Sequence, residues 1–176
     1  MKKVARTKYI WNLFNLEKWN ELTILDCASG DGRKGLQWYL KWGLKPGSIV
    51  AVDVIPNNLK ILQALGVETL QINLEKERLC TKKQTMFDLI LCIETLEHLT
   101  KKAEEYLLSD FINLLNSNGS LIIEFPIKVK MDKKIFGHKR QPNQNMIFEK
   151  LKDNFNISRK ERINNSIIMV FMNKTT

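Results

Sequence analysis

Apolar positions fall in short runs separated by stretches whose apolar residues recur at helical spacing. Runs of strand character are Thr23 to Ala28, Ser48 to Asp53, Thr69 to Asn73, Phe87 to Ile93 and Ser120 to Phe125. Between them, Leu36, Tyr39 and Leu40 share one helix face before Gly43, and Pro56 opens a helix that carries Leu59, Leu62 and Leu65 toward Gly66. A third helix is predicted from Lys101 to Asn116, with Ala103, Leu107, Phe111, Leu114 and Leu115 on one stripe and Asn118-Gly119 as its exit. Strand alternating with helix demands right-handed crossovers and hence a mainly parallel sheet. After a helix near Asn145 to Lys152 the rhythm changes. The runs Phe155 to Ile163 and Ser166 to Met172 flank Asn164-Asn165, and asparagine tolerates the left-handed backbone of a tight hairpin, so the sheet should close with an antiparallel pair. Residues 1–20 read as an amphipathic helical segment with Ile10, Leu13 and Phe14 on one stripe.

The 176 residues and 44% hydrophobic content suit a single domain spanning 1–176 around one core. The longest apolar stretches, such as Leu89 to Ile93 and Ile167 to Met172, are far too short to cross a membrane. Arg6, Thr7 and Lys8 interrupt the only place for a leader's apolar core, so a cytoplasmic protein is expected. Cys27, Cys80 and Cys92 lack metal-knuckle spacing and read as core thiols. The net charge of +9 comes mostly from lysine. Lys128, Lys130, Lys133, Lys134, Lys139 and Arg140 gather after the fifth strand, where they would grip the phosphates of a nucleic acid, hold the carboxylate of a small metabolite, or form a solvated loop. Only Phe125 and Phe136 lie near enough in sequence to stack on a base.

The stretch ILDCASGDGRKGL, from Ile24 to Leu36, holds a G-x-G-x-x-G pattern at Gly30, Gly32 and Gly35. In an open parallel sheet a ligand sits beyond the carboxyl ends of the strands, so this turn and Asp53, at the end of the second strand, are the informative pair. A dinucleotide and a sulfonium nucleoside would both use them. Asp26 separates the two, because a carboxylate four residues ahead of Gly30 would repel a pyrophosphate but attract an ammonium group. With these features the chain, over roughly Leu22 to Met172, resembles the class I S-adenosylmethionine-dependent methyltransferases. ILDCASGDG resembles their first motif, AVD the second and FDLILCIETLEHL the fourth; Asn73 stands where the family usually has an aspartate that receives the adenine amino group. The resemblance implies an α/β, Rossmann-like three-layer sandwich with a seven-stranded, mainly parallel sheet and an antiparallel last strand. It implies that Asp26, Ala28, Ser29, Gly30, Gly32, Asp53, Val54, Asn73, Leu74 and Cys92 line an S-adenosylmethionine site.

The methyl acceptor is less constrained. The [Asp/Asn/Ser]-Pro-Pro-aromatic stretch that base amino-group methylases share after the fourth strand is absent, as is the Pro-Cys of cytosine C5 enzymes, which favours oxygen as the target. Glu94, Glu97 and His98 would share one side of a helical turn, and the only other histidine is His138. Two carboxylates and two imidazoles suit Mg, Mn, Fe or Zn. The run resembles that of small-RNA 3′-terminal 2′-O-methyltransferases and of polyprenyl-catechol O-methyltransferases, which implies Glu94, Glu97, His98 and His138 as metal ligands. Without a metal, acids at a helix start need only its dipole, and His98 serves as a general base or a helix-start residue. The expected function is therefore an O-directed methyltransferase with Glu97 and His98 nearest the chemistry and a small-molecule acceptor. An RNA-directed, metal-assisted enzyme and a non-catalytic binding module are the alternatives.

Overall fold

The computed structural model describes residues 2–82, 85–128 and 137–174, with side chains from residue 5 onward. Lys130, Lys133, Lys134 and Phe136 of the basic segment lie outside the described residues. The chain runs α1 (Lys2–Trp11), α2 (Leu16–Glu21), β1 (Ile24–Cys27), α3 (Leu36–Lys41), β2 (Ile49–Asp53), α4 (Pro56–Gln63) and β3 (Glu68–Gln71). It continues with α5 (Leu79–Lys82), β4 (Phe87–Ile93), α6 (Lys101–Leu114), β5 (Leu115–Pro126), α7 (Gln144–Leu151), β6 (Phe155–Ile163) and β7 (Ser166–Asn173). The seven strands form one sheet in the order β3-β2-β1-β4-β5-β7-β6. All pairings are parallel except those of β7, which runs antiparallel to both β5 and β6. The α/β sandwich with an antiparallel last strand is the architecture expected above.

Burial follows strand position. Every residue of β1 and β2 is buried, as for strands covered on both faces, whereas the edge strand β6 exposes Arg159, Lys160 and Arg162. The alternation of side chains sorts the core into two halves. Leu25, Cys27, Val52, Ile90, Cys92 and Ile123 face α6 and α7; Ile24, Ile49, Ala51, Leu89, Leu91 and Ile122 face the layer of α1, α2 and α3. Trp11, Trp19 and Tyr39 stack on that second side with ring centroids 5.0 to 5.6 Å apart, which fixes the N-terminal helices to α3.

Two boundaries differ from the sequence pattern. The third helix ends at Leu114 rather than Asn116, and β5 starts at once, pairing Leu115 with Phe87 before its regular register resumes at Ser120 opposite Leu89. The residues between them, rich in Asn and Gly, form an irregularity in the strand and not a helix exit. The one-turn helix α5 has too few residues for a periodic signal; buried Asp110 fixes it by accepting from Leu79 N at 2.7 Å. Among the described residues no helix is long and apolar enough to cross a membrane.

Candidate functional site

The strand order reverses between β1 and β4, and there the strand ends open onto a cavity of about 510 Å³. Ala28 and Glu94, the first residues beyond β1 and β4, both have left-handed backbones (φ 54° and 49°), as do Gly30 and Gly32 (φ 57° and 81°). Such conformations in residues with side chains concentrate where the surrounding fold imposes them, often at ligand sites. A Cβ on Gly30 would point into open space, so the backbone here presents a bare edge to the cavity. At Gly32 a Cβ would come within 2.8 Å of Leu62 Cδ2, so that glycine serves close packing against α4.

Asp53 is the polar hub of this wall. Its Oδ2 accepts from Gly30 N at 2.9 Å, and its Oδ1 accepts from Ile55 N at 2.8 Å and Asn58 Nδ2 at 3.1 Å. One carboxylate thus holds the glycine turn and the start of α4 together. Asp26 lies deeper. Burial, reinforced by the negative charge of Asp53, pushes its carboxyl up to about 7. Asn73 Oδ1 accepts from Glu75 N at 3.1 Å, which turns the chain across the end of β3. Of the residues named from the sequence, Asp26, Ala28, Ser29, Gly30, Asp53, Val54, Asn73 and Leu74 line the cavity. Gly32 and Cys92 do not. Cys92 points into the core beneath α6, where burial raises its thiol far above the ordinary value. Cys27 has the same fate, and all three cysteines are free thiols.

The opposite wall is assembled from distant parts of the chain. Glu94 is ion-paired with Lys34 and, at 2.5 Å, with Arg6 of α1. Arg6 Nη1 also donates to Glu124 of β5 at 3.0 Å, and Glu94 N donates to Glu124 Oε2 at 3.1 Å. Burial alone would raise the Glu94 carboxyl, yet Arg6 and Lys34 outweigh it and hold it at about 2. The short turn Leu96–His98 is 3-10 rather than α-helical, and the backbone reversal at Glu94 sends that side chain away from the next two. Glu97, His98 and His138 do converge, their ligand atoms all within 4.8 Å of one another, without Glu94. The rings of His98 and His138 lie 4.8 Å apart between centroids.

Glu97 is only 1% exposed, and its Oε2 has no hydrogen-bond partner among the described residues. Burial, followed by the charges of Glu124 and Glu94, pushes its carboxyl up to about 8. Burial and then the neighbouring His138 lower His98, against an opposing hydrogen bond to the Gly137 backbone. At neutral pH the turn therefore presents a protonated acid beside a neutral imidazole. Arg6, Lys34 and Glu124 belong to this wall although no sequence motif marks them; a basic residue on the helix preceding the glycine turn is the only cue, and it is weak.

A family model described as a methyltransferase domain matches residues 24–119. No curated protein matches the sequence. Among solved structures, a TehB-like S-adenosylmethionine-dependent methyltransferase from Corynebacterium glutamicum superposes with a TM-score of 0.70 at 16% identity, covering 96% of this chain and 86% of that one. A Burkholderia thailandensis 1,6-didemethyltoxoflavin-N1-methyltransferase with bound 1,6-didemethyltoxoflavin and S-adenosylhomocysteine gives 0.70 at 17%, covering 98% and 78%. A Synechocystis magnesium protoporphyrin IX methyltransferase with bound S-adenosylhomocysteine gives 0.70 at 16%, covering 98% and 81%.

Proposed function

Since the chain belongs to the methyltransferase-domain family, and is an S-adenosylmethionine-dependent methyltransferase of the class I, Rossmann-like fold, we propose that residues 1–176 act as one domain that methylates a hydroxyl oxygen of a small-molecule acceptor. The cavity residues fit the methyl donor. Asp53 would accept from the ribose hydroxyls, Asp26 would face the ammonium group, the bare edge at Gly30 would lie against the amino-acid end, and Asn73 with Val54 and Leu74 would hold the adenine. When bound, the donor supplies an electrophilic methyl carbon on a good leaving group, so the protein's task is alignment and proton removal.

The observation that carries the choice of oxygen is the convergence of Glu97, His98 and His138 on the acceptor side, with His98 on the cavity wall. A hydroxyl needs a base as it attacks, and a lowered imidazole is in its accepting form at neutral pH. His98 takes that proton in this scheme. Glu97, protonated below about pH 8, accepts one only when it first gives its own away. Structures of the same fold include enzymes named for small-molecule acceptors, which supports that acceptor class.

One specific observation favours a second scheme, in which a divalent cation assists transfer to a terminal ribose of RNA. The orphaned, buried Oε2 of Glu97 and the two imidazoles fit a borderline cation such as Zn²⁺, and Glu94, committed to Arg6 and Lys34, would not join them. Held there, the ion would supply Lewis acidity that lowers the pKa of a bound hydroxyl.

S-adenosylhomocysteine should raise the melting temperature where NAD and ATP do not, because a ligand that prefers the native state shifts unfolding upward. Stabilisation by NAD alone would overturn the assignment of the cavity. Methyl transfer that survives EDTA but falls on His98→Ala favours the proton-removal scheme; loss in EDTA restored by Zn²⁺ favours the metal.

A further inference from the structure

The segment from Gly137 to Gln141 lies against the turn that carries Glu97 and His98, and it is fastened there at several points. Lys139 N donates to the Glu97 carbonyl at 2.8 Å, and Arg140 N approaches the same oxygen at 3.4 Å. The Arg140 guanidinium pairs with Glu104 of α6, and its Nε donates to the Leu99 carbonyl at 3.1 Å. Lys139 Nζ meets Glu75 Oε1 at 2.8 Å, and that oxygen also accepts from Thr100 N at 2.6 Å. Glu75 lines the donor cavity, so the same segment touches both walls of the site.

The two imidazoles do not draw each other together: each disfavours the other's charge, and that proximity helps to lower His98. Their approach is imposed by what lies beside them in the chain. Glu104 is fully buried, and burial works against its ionisation, so a carboxylate there depends on a cation at hand. Arg140 is the cation, and it stands two residues from His138. Meeting Glu104 therefore draws His138 over the Glu97–His98 turn. Resting on the role given above to the two histidines, we propose that Arg140, acting through Glu104, is the positioning residue that sets His138 against His98, with Lys139 and Glu75 as a second fastening toward the donor cavity.

The chain has two histidines, so each ring can be followed individually by NMR without knowledge of the acceptor. Arg140→Ala alone would leave Glu104 buried without its cation and risks unfolding; the double variant Arg140→Ala/Glu104→Gln removes both charges and is the better test. It should lose the ring-to-ring nuclear Overhauser effect and move the His138 signals toward those of an exposed histidine. Affinity for S-adenosylhomocysteine should stay within about twofold, since the change lies on the other wall. Arg140→Lys, which keeps a charge for Glu104 but not the planar fork that also reaches Leu99, should retain a weakened effect. An undiminished effect in the folded double variant would overturn the proposal. Titration of the unaltered chain with S-adenosylhomocysteine separates the two layers of inference. Absence of binding would count against the assigned function, while the histidine signals would still decide the role of Arg140.

Discussion

The two walls of the cavity are built by opposite means. The donor wall comes from three consecutive strand ends, β1 to β3, and its shape is mostly backbone: a left-handed turn, an open glycine edge and one aspartate that braces both. The acceptor wall draws on α1, the residue before α3, the turn after β4, the end of β5 and the segment before α7, and its shape depends on charged side chains meeting across the fold. A backbone-built wall is specified locally and tolerates little change at a few positions. A side-chain-built wall is specified only once the chain is folded, and each of its charges depends on a partner far away in sequence.

Single substitutions sharpen this contrast, and the largest effects fall on the two hubs. Arg6→Met leaves Glu94 and Glu124 without their shared cation and should cost about 3–5 kcal/mol of stability in urea unfolding, with most of it recovered when Glu124→Gln is added. Asp53→Ala should be milder for the fold but should weaken S-adenosylhomocysteine by roughly a hundredfold in calorimetry, at about 1.5–3 kcal/mol per lost charge-assisted bond. If Arg6→Met instead proved neutral for stability, the acceptor wall would not rest on its ion pairs.

The pH dependence is of intermediate size, and its two parts have opposite sign. The Asp26 carboxyl is raised from 3.8 to about 7 in the folded chain, so the native state binds its proton more tightly than the unfolded state does. The ligand-free protein should accordingly lose stability as pH rises from near 4 toward 7, with Glu97 extending the decline to about 8. Affinity for a ligand bearing an ammonium group should move the other way, falling up to about tenfold per unit as pH drops below 7 and the carboxylate is lost. Asp26→Asn should flatten the affinity profile; a profile unchanged by that substitution would place the ammonium elsewhere.

The smallest effect tests the glycine pattern itself. Gly35 has φ −158°, an extended conformation open to any residue, and a Cβ there would meet Tyr39 at an ordinary 3.5 Å. Gly35→Ala should change stability by no more than about 0.5 kcal/mol, against about 1–3 kcal/mol for Gly32→Ala, where both the backbone and Leu62 resist. The third glycine of the G-x-G-x-x-G pattern is thus a coincidence of spelling.

That asymmetry explains what the sequence disclosed. The strands were legible because buried strands carry continuous apolar runs and the helices between them carry a clear period; β5 was read late at its start because Asn116 to Gly119 look like an exit whichever element they interrupt. Asp26, Gly30 and Asp53 were legible because their roles depend on strand ends a reader can count to. Glu97 and His98 stood out as neighbours, while the path of Glu94 did not, since a left-handed residue that is neither Gly nor Asn leaves no mark in composition. Arg6, Glu104 and Glu124 were silent for a plainer reason: a charged residue is ordinarily at the surface, and only tertiary contact reveals that these are not.

The bends at Ala28 and Glu94 carry a last consequence. Two adjacent strands turn out of the sheet in the same unusual sense, so the cleft between them is a standing feature of the main chain and awaits its occupant already open. Little conformational freedom need be surrendered when the nucleoside arrives. A lineage can then re-dress the facing surface for a new acceptor, residue by residue, while the nucleoside's berth stays as it was.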